Sequence, residues 1–161
     1  MPFDQVQAGN VEYISETETV IMEIFLVKYL EIRLTNLFLI DVCQPLLDYI
    51  DFFESLRVRC HLRHPKMAIL LSDHMGRFVK ENVALLTPTQ LLRVDLGEGK
   101  LLSRKEVMLG TGVDRLLLEM GMTPESPEIK PFMDSVFRFY KKSTESMIKY
   151  FSTPLKSKLL R

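Results

Sequence analysis

Tryptophan is missing from this chain, cysteine occurs twice, and glycine appears only seven times in 161 residues. Each scarcity removes a class of protein. Cys43 and Cys60 cannot supply the several bridges that hold small secreted folds together, so reduced thiols in a reducing compartment are expected. Glycine and proline show no period, internal repeat or low-complexity tract, which excludes a fibrous chain. A membrane-spanning helix needs about 20 largely uncharged residues. The most apolar stretch, Val20 to Cys43, is broken by Glu23, Lys28, Glu31, Arg33 and Asp41. The opening, MPFDQVQAGNVEYISETETV, has neither the basic and apolar regions of a signal peptide nor the arginine-rich character of a transit peptide. An intracellular protein with no membrane association is the expectation.

What is present describes a globular chain. Hydrophobic residues make up 47% and charged residues 26%, with a mean hydropathy of +0.06. A domain of this length buries roughly 68–70% of its unfolded surface, so one core suffices. Net charge is zero, but the signs are segregated: residues 1–54 hold 10 acidic and 2 basic side chains, residues 55–161 hold 11 and 19. Such a dipole offers a basic face to an acidic partner, or lets the N-terminal part dock on the rest.

Apolar spacing of three and four, the helical period, runs through most of the chain. Residues 1–17 are polar, with a turn signal at Gly9-Asn10, and are expected to be poorly ordered. A helix is predicted from Glu18, carrying Val20, Ile21, Ile24, Phe25, Val27, Leu30, Leu34, Leu37 and Phe38. Pro45 is expected to open a second helix whose apolar face is Leu46, Leu47, Ile50, Phe53 and Leu56. After a basic crossing, Pro65 opens a third with Met67, Leu70, Leu71, Met75, Phe78 and Val79, and Gly76 in its interior. The stretch 42–83 is thus read as the organising hairpin. Thr87-Pro88-Thr89-Gln90 and Ser103-Arg104-Lys105-Glu106 have the form of capping boxes and predict two helix starts, with a glycine-punctuated loop, 94–100, between them. Gly110-Thr111-Gly112 leads into a short helix, Val113 to Met120, closed by Gly121 as a left-handed cap. A long amphipathic helix follows near the C-terminus, with Pro131 in its first turn and Phe132, Met133, Val136, Phe137, Tyr140, Met147, Ile148 and Phe151 on one side. Ser152-Thr153-Pro154 predicts a last short helix. No segment alternates with period two long enough for a strand. The predicted fold is all-α: an irregular bundle of about six to eight helices forming a single domain over residues 18–161.

The side chains capable of chemistry do not assemble into a known pattern. Cys60, His64, Asp73 and His74 could in principle serve a metal-dependent hydrolase, but the spacing lacks a C-x-x-C pair and an i, i+4 histidine pair. Gly97-Glu98-Gly99-Lys100 fails as a phosphate loop: Val94 stands where the first glycine belongs, and Leu101 where serine or threonine should follow. Asp48, Asp51 and Glu54 share a helix stripe, as solvated acidic faces do. There is no nucleophile elbow. No catalytic residue, cofactor, metal or small-molecule substrate is indicated, and a non-enzyme is expected.

Basic residues have more substance. Arg57, Arg59, Arg63, Lys66, Arg77 and Lys80 gather near the hairpin, and Arg138, Lys141, Lys142, Lys149, Lys156 and Lys158 load the C-terminal helices. Counterion release would draw such a surface to nucleic acid without reading its sequence. These lysines and arginines, Arg138 aside, are the candidate DNA contacts.

Five segments in order, YLEIRLTNLFL, PLLDYIDFFESL, PKMAILLSDHMGRFVKENV, LLRVDLGEGKLLSRKEVMLGTGVDRLLLEM and FYKKSTESMIKYF, carry a family resemblance. Its cues are Phe53-Glu54-Ser55, Arg77-Phe78-Val79-Lys80, Val94-Asp95 before Leu101-Leu102, Val107-x-x-Gly110, and Phe139-Tyr140 ahead of Tyr150-Phe151. Spanning about Phe25 to Thr153, the chain resembles the helical insertion region of hAT-type transposase-like proteins. In that family the insertion sits in an RNase H-like core whose acidic residues bind divalent metal and cut DNA. The resemblance covers the insertion and not the core, so no catalytic residue carries over. It implies a non-catalytic, transposase-derived helical protein acting through protein partners on exposed apolar helix faces or through weak, non-specific DNA association, nuclear if the family role is kept. A remnant without function, exposing apolar surface, is the remaining alternative.

Overall fold

The computed structural model describes residues 4–54, 63–87, 90 and 93–152. Among these the chain is helical, with five α-helices: α1 (Asp4–Glu54), α2 (Arg63–Gly76), α3 (Glu81–Ala84), α4 (Thr111–Glu119) and α5 (Lys130–Ser152). Two 3₁₀ turns, Glu98–Lys100 and Pro127–Ile129, join them. The only β pairing among the described residues is an isolated antiparallel bridge between Val79 and Leu101. The fold is therefore all-α, with five α-helices among the described residues where six to eight were expected.

The main reason is α1. Two helices were expected on either side of Pro45; instead one helix of 51 residues passes through it, about 75 Å long at 1.5 Å per residue. Proline removes the bond to the Asp41 carbonyl at a cost of about 3 kcal/mol. Packing on both sides of the break offsets that cost. Upstream, Leu34, Phe38 and Val42 are buried in the core; downstream, Pro45, Tyr49 and Phe52 line a cleft against Lys66, Leu70 and Asp73 of α2. The helix also begins at Asp4, so residues 4–16, read from the sequence as poorly ordered, have helical backbone.

Aromatic rings form the centre of the core. Phe78 and Tyr140 lie parallel with centroids 4.9 Å apart, and Phe38 meets Tyr140, Phe132 and Phe139 edge-on at 5.4, 6.3 and 5.5 Å. Edge-on and stacked pairs of this kind add about 0.5–1.5 kcal/mol each beyond their buried area. Every apolar residue predicted on the third helix, from Met67 to Val79, is buried, although Phe78 and Val79 follow the end of α2. Of the stripe predicted after Pro45, Leu46, Leu47 and Ile50 are exposed, and Leu56 and the Phe53 side chain lie outside the described residues. Of the proposed organising hairpin, the second arm and, from the first, Val42 belong to the core among the described residues; α5 and the middle of α1 complete it.

Local signals acted as expected where nothing nonlocal competed. Pro131 sits in the first turn of α5. Gly121, at φ +65°, closes α4 with bonds from its own N–H to the Leu118 carbonyl and from Met122 N–H to Leu117, the paired arrangement of a left-handed helix stop. Ser103 donates to the Glu106 carboxylate from its backbone N–H and its hydroxyl, at 3.1 and 2.7 Å, so half of the capping box forms, while the Glu106 N–H bonds the Ser103 carbonyl and not its hydroxyl. No helix follows, because the chain is drawn away: Met108 N–H donates to the Arg77 carbonyl and Leu102 N–H to that of Phe78. At the other box, Thr87 bonds Gln90 through backbone and hydroxyl alike. Gly76, expected inside a helix, is the last residue of α2, and nothing approaches the position of its missing Cβ.

Candidate functional site

Polar groups converge where α2, α5 and α1 meet. His74 is buried, and its Nε2 is 2.6 Å from Ser143 Oγ. The Ser143 hydroxyl also faces the backbone carbonyls of Phe139 and Tyr140 at 2.8 and 3.1 Å, an arrangement that His74 completes as donor in the tautomer with hydrogen on Nε2. Burial, followed by the Arg77 charge, lowers the His74 pKa from 6.5 to about 4, so the ring is neutral at pH 7. Tyr140 donates to the Met108 carbonyl at 2.7 Å, and burial pushes its phenol up to about 12. Arg77 reaches Asp41 at 3.0 Å. Each group is committed to a partner within the chain, and the arrangement braces three elements against one another.

Of the residues proposed for metal chemistry, this cluster holds His74 among the described residues. Asp73 is exposed while its neighbour His74 is turned inward, and Cys60 and the His64 side chain lie outside the described residues. Among the described residues no three His, Cys, Asp or Glu side chains could share a metal ion. The lysine of the glycine-punctuated loop is used internally: Lys100 Nζ donates to the Asp95 carbonyl at 2.7 Å.

Candidate DNA contacts fall into two groups. Near α2, the basic side chains are engaged with the chain itself. Lys66 sits 4.6 Å over the Phe52 ring, Arg77 pairs with Asp41, and Lys80 donates to the Gly99 carbonyl at 2.8 Å. On α5, Lys142 and Lys149 are exposed and Lys141 is half-buried; Arg138, not among the candidates, is exposed on the same side as Lys142 and Lys149, with Glu145 between them. Arg57, Arg59, Lys156 and Lys158 lie outside the described residues, as does the Arg63 side chain.

The outer part of α1 carries a feature that the sequence reading did not isolate. Every residue from 17 to 29 is exposed, and this segment reads TETVIMEIFLVKY. Val20, Ile21, Met22, Ile24, Phe25, Leu26, Val27 and Tyr29 each expose half or more of their surface, Phe25 the most at 63%. A helix apolar on all sides is normally buried. Here it runs on beyond the core, which α1 joins at Leu30 and Leu34. Where the two meet, Leu26, Tyr29, Leu30 and Arg33 form one wall of a groove of about 300 Å³, with Met120, Met122 and Glu128 opposite. The sequence signal was available. Ile21 and Phe25 lie on the opposite side of the helix from Val20, Val27 and Leu34, so the apolar positions never formed the single stripe assumed for them.

Among the described residues no helix is long and apolar enough to cross a membrane. Comparison of the chain with models of protein families, with curated proteins and with solved structures finds no match.

Proposed function

We propose that this chain is a non-catalytic helical module that holds another protein on the apolar outer segment of α1. The observation that carries this reading is the exposure of every side chain from Val20 to Tyr29, eight of them large and apolar. A contiguous apolar patch of this kind marks an interaction site, because leaving it in water forfeits roughly 25 cal/mol for each Å² that could be covered. The commitment of His74, Tyr140, Arg77 and Asp41 to internal partners supports a scaffold and gives no acid, base or nucleophile to a substrate. Derivation from the helical insertion of a hAT-type transposase, and with it a nuclear location, rests on the sequence cues set out above.

Cross-linking in cells followed by capture tests the reading. Wild-type chain should retain a defined partner that Phe25→Asp with Tyr29→Asp loses, while circular dichroism remains unchanged. Partners that are indifferent to both substitutions would sink it.

Weak DNA association is the second reading, favoured by the exposed Arg138, Lys142 and Lys149 on α5. It requires binding to duplex that falls steeply between low and physiological salt, with a shallower slope in Arg138→Ala plus Lys142→Ala. Salt-independent binding would remove it.

A further inference from the structure

We infer that the occupant of the α1 surface is a second copy of this chain, paired antiparallel along Glu18 to Arg33 about a two-fold axis between Phe25 and Leu26. This rests on the reading of α1 as a docking surface and names what docks there. At about 100° per residue, Glu18, Met22, Phe25, Leu26, Tyr29 and Arg33 fall on one side of the helix, opposite the buried Leu34 and Phe38. All six are exposed. Their positions are symmetric about the midpoint: 18 mirrors 33, 22 mirrors 29, and 25 mirrors 26.

Antiparallel pairing therefore sets Glu18 level with Arg33 of the second copy, Met22 with its Tyr29, and Phe25 with its Leu26. Among the described residues neither Glu18 nor Arg33 has an ion-pair partner of its own. A parallel pair would instead stack Glu18 on Glu18 and Arg33 on Arg33, which is repulsive. The rest of α1 gives the same preference. Asp4, Glu12, Glu16 and Glu18 would lie level with residues 33–47, where Arg33 and Asp41 cancel, whereas parallel chains would double the four acids. On the same side of that overlap are two exposed apolar residues, Ile40 and Leu47, and the helical backbone of residues 4–11 in the second copy would cover them.

Size is also compatible. Phe25 and Tyr29 from two copies are four rings, each more than half exposed, and burying them removes on the order of 400 Å² from water. That is a substantial share of the roughly 1,200–2,000 Å² buried in a stable interface. A lipid surface is disfavoured, since α1 carries 10 acidic and 2 basic side chains and the cytoplasmic leaflet is negative.

Sedimentation equilibrium of the full chain at low salt should give a dimer that weakens as salt is added. Glu18→Arg or Arg33→Glu should each weaken it on the order of tenfold, since each puts like charges face to face twice per dimer. Combining the two swaps should restore it. All of these positions are exposed, and circular dichroism checks that the helix content is kept. A dimer indifferent to the single swaps, or not rescued by the double swap, overturns the pairing. So does a monomer, or a chain that is instead recovered on phosphatidylcholine vesicles. If that monomer still loses a different protein partner on Phe25→Asp, the docking reading survives and only its occupant is wrong.

Discussion

Arg77 Nη1 lies 3.0 Å from the Asp41 carboxylate, and Gly110 packs against that same carboxylate so closely that a Cβ on Gly110 would stand 2.6 Å from Asp41 Cγ. One aspartate thus ties the exit of α2 and the entry of α4 to the middle of α1. Gly110 also has φ +95°, a conformation that side-chain-bearing residues rarely adopt.

Gly110→Ala should accordingly destabilise the chain by about 2–4 kcal/mol, from backbone strain plus displacement of Asp41. Gly76→Ala is the control. Open space surrounds that position and no positive φ is involved, so a change between neutral and about 1 kcal/mol of stabilisation is expected. Urea unfolding of both variants measures the contrast; equal effects would mean that Gly110 is not in contact with Asp41.

Acid should weaken the fold through His74. Its pKa is about 4 when folded against 6.5 when unfolded, so below pH 6.5 the unfolded chain binds the extra proton. The contribution is complete above pH 6.5 and is lost as pH falls toward 4, amounting to about 2 kcal/mol between pH 7 and 5. Thermal or urea unfolding across that interval should show the loss, and His74→Gln should flatten it. An unchanged slope in the variant would place the ring in water.

Pro45→Ala tests the continuity of α1. Alanine restores an N–H that can reach the Asp41 carbonyl and relieves the ring's clash with it, so stability should rise by about 1–3 kcal/mol. If the chain is destabilised instead, the helix is interrupted at this point.

Thr144 is fully buried, and its Oγ1 has no hydrogen-bond partner among the described residues. Thr144→Val keeps the shape while deleting the stranded hydroxyl, and a gain of about 1 kcal/mol in urea unfolding is expected. A loss of that size would reveal a bond to the hydroxyl in solution.

These positions also mark how far the sequence could be read. Gly121, Pro131 and the α5 stripe were legible because their signals are local: a left-handed stop, a fixed φ and a repeat of 3.6 need no knowledge of neighbours. Pro45 misled because a break in one helix can be held closed by packing from another. Ser103 and Glu106 misled because the serine can give both its N–H and its hydroxyl to the glutamate whether or not the chain continues as helix. Leu46, Leu47 and Ile50 have helical spacing, yet spacing does not say which side meets the core. The interaction surface was missed for a related reason. Periodicity finds one stripe, and the outer part of α1 is apolar in every direction.

Because α1 runs for about 75 Å and leaves every side chain from 17 to 29 exposed, drag on this molecule in solution is set by a rod and not by a ball. A lone copy should leave a sizing column ahead of spherical standards of 18.7 kDa. Elution volume by itself would then mimic association, and only a measurement of mass independent of shape can count the copies.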